Sequence, residues 1–446
     1  MAKNYNPYDL ADYVFKQLDT SKIKGPKPSQ KVLEELFNTL YYTSLQTEEG
    51  EFIKVTITLI DPDQIPVFDE HRDAFDKWQF YPFDDRLEFS VKNLVKLSKA
   101  ADPWSASLAV YYDDKSALHI YGMIDQSIHY QSFLNYEREV RPDHPGIMQT
   151  MINGIGILNV MLDFQALATL NQNALIKLYP NVFGFGPVSE YLKENTLLKH
   201  ERMEQAVGER LTKEQYDIFQ EILLEYIIQA LSRILLKIKS YHHGGAILIT
   251  KDWEIGLEKK YKIKYNRILA SIKHILHGIA DSEFFEDEIK KATIKKKAIP
   301  PDLHEDYNDT ELDLEEAYDE MIGAVRFVSS LSCVDGLVLL SPFLTVRGFG
   351  TVIAEKGGPE KVYINKTSKI SAAPQEMYAD HFGTRHRSMF AYCLKHPDSV
   401  GFVVSQDGEI RAIKCIDGKV FVWENIKVYQ FQRSTKLPRT IISAKK

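Results

Sequence analysis

The segment FGTRHRSMFAYC, residues 382–393, sets Arg385, His386 and Arg387 between a Gly-Thr turn and an apolar run. That pattern reads as a helix start. The first N–H groups of a helix have no intrahelical partner and carry partial positive charge, so they attract anions. Guanidinium forks match phosphate oxygens, and arginine stays charged at any working pH. With Gly383, Thr384 and Ser388 beside them, the two arginines suit a polyphosphate. His386 either donates to a phosphate or orients an arginine. The bland alternative is a solvated basic helix end. Two other segments bear on the choice. Asp335-Gly336 opens a strand fifty residues before Arg385, and Ser405-Gln406-Asp407 closes one eighteen residues after Arg387. Carboxylates and a hydroxyl at strand ends, next to such a helix start, form a site for Mg2+ or Mn2+ with a triphosphate.

The elements that must hold these residues can be read from period and punctuation. In the C-terminal third, residues 333–340, 344–353, 361–364, 401–405, 409–416 and 419–423 are apolar β-type runs, the last two joined by the hairpin pair Asp417-Gly418. Upstream, Thr212 and Gln215 form a capping box, and Tyr216 through Ile238 repeat at helical spacing. The helix meets His242-His243-Gly244-Gly245, read as a helix end rather than a metal pair, and the buried strand AILIT (246–250) follows. The expected fold is α/β (α+β): a mixed central sheet flanked by helices, preceded by an α+β N-terminal domain. In that N-terminal part, 52–60 reads as a strand and 105–113 with 117–125 as a hairpin; Gly184-Phe-Gly186-Pro187 reads as a turn. Tyr111, Tyr112, His119 and Tyr121 on the hairpin would be a sheet face or line a pocket. The predicted domains are 1–205, 206–430 and a basic flexible tail 431–446. The charged stretch 255–320 within the second is expected to be a solvated insertion or mobile loop.

The chain has 446 residues, 44% hydrophobic and 26% charged, with a formal net charge of −7. This balance argues against a nucleic-acid partner and leaves anion binding to a local pocket. Cys333, Cys393 and Cys415 are odd in number and set in apolar sequence, so buried reduced thiols are expected rather than disulfides or a zinc knuckle. The N-terminus has no apolar signal core, and the most apolar stretches are interrupted by Glu225, Arg233, Arg326 and Asp335. A cytoplasmic protein without a membrane anchor is the expectation.

Three motifs in order carry a resemblance. Asp335-Gly336, Gly383-Thr384-Arg385-His386-Arg387-Ser388 and Val403-Val404-Ser405 resemble the catalytic core of the diadenylate cyclases of the DisA_N type. GGAILIT (244–250) after the long helix and VRGFGTVIA (346–354) resemble flanking strands of that family. The likeness covers roughly residues 210–430. The first 200 residues stand where many such cyclases carry a sensor domain. The resemblance implies condensation of two ATP molecules to cyclic di-AMP and two pyrophosphates, with Mg2+ or Mn2+. It implies catalytic roles for Asp335, Gly336, Arg385, His386 and Arg387. It implies nucleotide contacts from Leu337, Gly350, Thr351, Gly383, Thr384, Ser388 and Ser405, and metal ligation by Asp335 and Asp407. It also implies a face-to-face homodimer or higher even oligomer, regulated by a ligand or protein at the N-terminal domain. Departures are Leu337 for the family's alanine, Val334 where some members have a metal-binding histidine, and Gln406-Asp407 for a Glu-Glu pair. They leave a second reading open, a nucleotide-binding module that has lost or altered turnover. A third is an interaction protein in which these residues are only surface charge.

Overall fold

The computed structural model describes residues 4–20, 27–63, 78–103, 105–126, 147–162, 165–295, 300–406 and 408–428. The chain divides into two compact units, Met1–Leu178 and Tyr179–Lys446. In the first, helices α1 (Pro7–Thr20), α2 (Gln30–Ser44) and α3 (Val91–Ser98) accompany ten strands among the described residues. These are β1 (Thr47–Glu48), β2 (Glu51–Phe52), β3 (Val55–Leu59), β4 (Gln79–Glu88), β5 (Ala106–Tyr112), β6 (Leu118–Asp125), β7 (Met148–Gly154), β8 (Ile157–Leu162), β9 (Gln165–Asn171) and β10 (Ala174–Ile176). β1 and β2 pair alone, and the other eight form one sheet in the order β10-β9-β8-β7-β3-β5-β6-β4. The expected hairpin is β5–β6, and Asp113 builds its turn: Oδ1 accepts the N–H groups of Lys115 and Ala117, each at 2.9 Å. Leu10, Leu33 and Leu94 of the helices join Ile57, Leu108 and Ile120 of the strands in one core, so the helices cover one face of this sheet.

The second unit begins with α4 (Pro187–Asn195), α5 (His200–Val207) and the long α6 (Lys213–Ser240). β11 (Gly245–Thr250), β12 (Leu257–Tyr261), α7 (Arg267–Ile294) and α8 (Pro301–Ser330) follow. Then come β13 (Leu337–Leu340), β14 (Val346–Ile353), β15 (Lys361–Ile364), β16 (Gln375–Tyr378), α9 (Thr384–Lys395), β17 (Ser399–Val404), β18 (Ile410–Ile416) and β19 (Lys419–Trp423). The nine strands form one mixed sheet, β12-β14-β13-β11-β17-β18-β19-β15-β16. Pleat alternation divides its side chains between two cores. Ile247, Val338, Leu340 and Phe402 pack with Ile227 and Leu231 of α6 and with the bases of α7 and α8. Ala246, Leu248, Leu339 and Ile413 pack instead against Met389, Phe390 and Cys393 of α9. The capping box of α6 is formed: Gln215 N–H reaches Thr212 Oγ1 at 3.3 Å, and Thr212 N–H reaches Gln215 Oε1 at 2.9 Å. Asp417 and Gly418 take φ of 49° and 74°, the left-handed pair that a two-residue hairpin turn requires.

Several expectations change. The units meet at 178/179 rather than 205/206, because Val188, Leu192, Met203 and Val207 of α4 and α5 are buried in the same core as α6. The charged stretch is not a loop. Its apolar residues fall at helical spacing at the base of an α7–α8 hairpin, where Ile272, Ile275, Leu276, Met321 and Val328 are fully buried. Polar residues dominate only the distal half, which is what made the stretch read as solvated. Cys393 and Cys415 are buried free thiols, whereas Cys333 is exposed. Among the described residues no helix is long and apolar enough to cross a membrane. Asp407, Lys296, Lys297 and the 431–446 tail lie outside the described residues.

Candidate functional site

Strand register brings the three motifs to one end of the second sheet. Thr351 pairs with Leu337, Ala246 with Val403, and Val403 with Arg411. Leu337 lies beside Ala246, one step before the parallel Ile247–Val338 pair. Thr351, Leu337, Ala246, Val403 and Arg411 therefore form a row across five strands. Just beyond that row the chain continues as Asp335-Gly336, His243-Gly244 and Ser405-Gln406. Asp335 and Ser405 are two strands apart, about 10 Å at ordinary inter-strand spacing. The Asp335-Gly336 turn is fixed by close backbone packing. Gly336 has φ of 115°, and a Cβ there would sit 2.8 Å from Gly350 Cα and from Thr351 N. No other residue fits without displacing β14. Asp335 itself is exposed.

α9 delivers the arginines to the same end. Its cap residue Gly383 offers no side-chain hydrogen bond, so the N–H groups of the first turn face outward without a capping side chain. Thr384 and Arg387 are exposed; Arg385 and Ser388 are half-buried. Arg385 Nη1 lies 3.5 Å from the His243 carbonyl oxygen, at the outer limit of a hydrogen bond, which sets it over the turn into β11. Arg387 Nη1 is 3.8 Å from Asp380 Oδ1, a loose, exposed pair worth little to stability. Its guanidinium therefore remains available to an anion.

His386 goes elsewhere. It is only 8% exposed, beneath the helix, with its ring 5.6 Å from that of Phe382. Its Nε2 is 3.3 Å from Arg411 Nη1. Arginine only donates, so Nε2 accepts and the proton sits on Nδ1. Burial, then the charges of Arg411 and Arg385, pull its pKa down to about 4. Arg411 is in turn held by Glu409 and by Glu424 Oε1, the latter at 3.1 Å. Sequence reading missed Arg411. The available signal was an arginine at an inward-facing position of a buried strand, with carboxylates on both sides.

The other candidates divide. Thr351 is 1% exposed and its hydroxyl has no partner, an orphaned polar atom next to the Asp335-Gly336 turn. Leu337 is 5% exposed and packs into the α9 core, so it presents no bulk at the strand end. Ser405 closes the β17–β18 turn: its N–H donates to the Glu409 carbonyl at 2.9 Å, and its Oγ accepts the Glu409 N–H at 3.1 Å. Among the described residues no three His, Cys, Asp or Glu side chains converge as metal ligands. Mg2+ typically takes one or two carboxylates and completes its shell with substrate phosphates and water. Exposed Asp335 beside the anion site fits a cation that arrives with a triphosphate.

The family model described as the probable sensor domain DACNV matches residues 22–125, within the first unit. That region of the chain carries a sensor-type domain. No curated protein and no solved structure matches the chain.

Proposed function

We propose that the second unit is a diadenylate cyclase, joining two ATP molecules into cyclic di-AMP with release of two pyrophosphates. The observation that carries this reading is the convergence of Asp335-Gly336, the Gly383–Ser388 helix start and Ser405 at one sheet end. The match of residues 22–125 to a sensor family supports it, since a sensor ahead of the cyclase is the domain order that the resemblance implies. An ATP-dependent reaction of this kind would run in the cytoplasm.

In this reading Arg385, Arg387, Thr384 and the first-turn N–H groups of α9 hold the triphosphate. Asp335 aligns the ribose 3′-oxygen. The 3′-oxygen of each ATP attacks the α-phosphorus of the other. Two O–P bonds form, two α–β phosphoanhydride bonds break, and each hydroxyl proton leaves to Asp335 or water. Asp335 and the substrate phosphates would hold Mg2+ or Mn2+, which would supply charge neutralisation for the pyrophosphate leaving group. One unit holds one ATP, so two chains meet face to face, and the second nucleophile is delivered already oriented. His386 acts as a positioning residue: through Arg411 it fixes the base of α9.

Arg387→Ala weakens ATP binding at least tenfold by calorimetry, because one charge-assisted contact is worth about 1.5–3 kcal/mol. Asp335→Asn keeps binding and loses turnover. Unchanged ATP affinity in Arg387→Ala contradicts the assignment. The second reading, binding without turnover, is favoured by Gln406-Asp407 standing where the family has a Glu-Glu pair, with Gln406 exposed. It predicts tight ATP binding and no pyrophosphate.

A further inference from the structure

β12 is an edge strand of the second sheet and lies next to β14. Across that pair Tyr261 stands opposite Phe349. Their rings stack, with centroids 4.8 Å apart and planes 17° from parallel. Phe349 is half-buried and packs on the core that holds α6. Tyr261 is 43% exposed. The result is a flat aromatic surface, backed by a second ring and open to water. The exposed Lys260 ammonium, 5.3 Å from the Tyr261 ring centroid, is the contact that an incoming ring would replace.

A second observation ties this surface to the strand-end site. A Cβ at Gly350 would lie 3.3 Å from Tyr261 Cδ2, 3.3 Å from Val334 Cγ1 and 3.4 Å from the Asp335 carbonyl oxygen, so the ring edge and the Asp335 backbone are within about 7 Å of each other. Gly350 has φ of 56°, and its missing side chain leaves the space between them clear. The strand order sets the direction. Reading from β17 through β11, β13 and β14 to β12, the chain offers Ser405, Arg385 over the His243 carbonyl, Asp335 and then Tyr261. A nucleotide with its phosphates at Arg385 and its ribose at Asp335 continues in the same direction onto the Tyr261 ring.

We propose that Tyr261 is a specificity residue: the base of the bound nucleotide stacks on its ring, which favours purine over pyrimidine triphosphates. This rests on reading the strand-end site as a nucleotide site. Every base has a π-face, and the larger purine covers more of the tyrosine, so stacking alone gives a preference by ring size.

The test is calorimetric titration of the full-length chain with ATP, CTP and inorganic tripolyphosphate, each with Mg2+. Tyr261→Ala weakens ATP about tenfold, as expected for the loss of one base–aromatic stack. It also narrows the preference for ATP over CTP and leaves tripolyphosphate binding unchanged. Tyr261→Phe keeps both the ATP affinity and the preference, because the ring and not the hydroxyl makes the contact. Unchanged ATP affinity in Tyr261→Ala overturns the inference. So does a loss shared equally by tripolyphosphate, which would mark Tyr261 as a support of the strand. If Tyr261→Ala still forms cyclic di-AMP with the ATP preference intact, the inference fails while the proposed function stands. If ATP binding depends on the ring but no cyclic di-AMP forms, the inference stands without turnover. If the wild-type chain binds neither ATP nor tripolyphosphate, both fall.

Discussion

His386 illustrates how a neighbourhood decides a residue's role. Its type and place in the Arg-His-Arg motif point to a phosphate, but burial and two arginines hold it neutral with a pKa of about 4. An unfolded histidine titrates near 6.5, so the unfolded chain binds this proton more readily than the folded one. The stabilising contribution is full above about pH 6.5 and is lost as pH falls towards 4. At 1.36 kcal/mol per pH unit that window is worth about 3 kcal/mol. Urea unfolding at pH 7.5 and pH 4.5 should show that much extra acid sensitivity relative to His386→Asn; equal sensitivity contradicts the assigned protonation. Cys333, exposed and two residues before Asp335, offers a second handle. Saturating ATP should slow its alkylation several-fold, and no slowing would move the nucleotide away from the strand end.

At the scale of elements, α9 is seated by a missing side chain. A Cβ at Gly401 of β17 would collide with Cγ and Sδ of buried Met389. Gly401→Val should lower stability by about 1–3 kcal/mol and reduce nucleotide affinity, since the helix that carries Arg385 and Arg387 is displaced. Adding Met389→Ala should recover part of both; no recovery would mean that the contact does not set the helix. The α7–α8 hairpin makes the opposite case to its composition. Met321→Ala at its buried base should cost about 2–5 kcal/mol, and Leu312→Ala on its exposed part less than about 0.5 kcal/mol, by denaturant unfolding. Local signals made much of the fold legible: the Thr212 box, the Asp417-Gly418 turn, the β5–β6 hairpin and the order of the site segments. The hairpin of α7 and α8 was hidden because its apolar residues are diluted by charge over long helices. Arg411 was hidden because only cross-strand register reveals that it faces α9.

At the scale of the whole molecule, the division into units sets what can be cut. A chain beginning at residue 179 should express as a folded protein, because α4 and α5 complete the second core. One beginning at 206 removes Val188, Leu192 and Met203 from that core and should be insoluble or melt far lower. Equal behaviour of the two truncations would refute the boundary. A reaction that needs two facing sites also predicts that specific activity falls on dilution. The account rests most heavily on the product of the second unit. The direct measurement is incubation of purified full-length protein with ATP and Mg2+ or Mn2+, with the nucleotides identified by mass. The account predicts cyclic di-AMP and pyrophosphate, both lost in Asp335→Asn and Arg387→Ala. ATP left intact with either metal, or cyclic di-AMP formed equally by both variants, would contradict it.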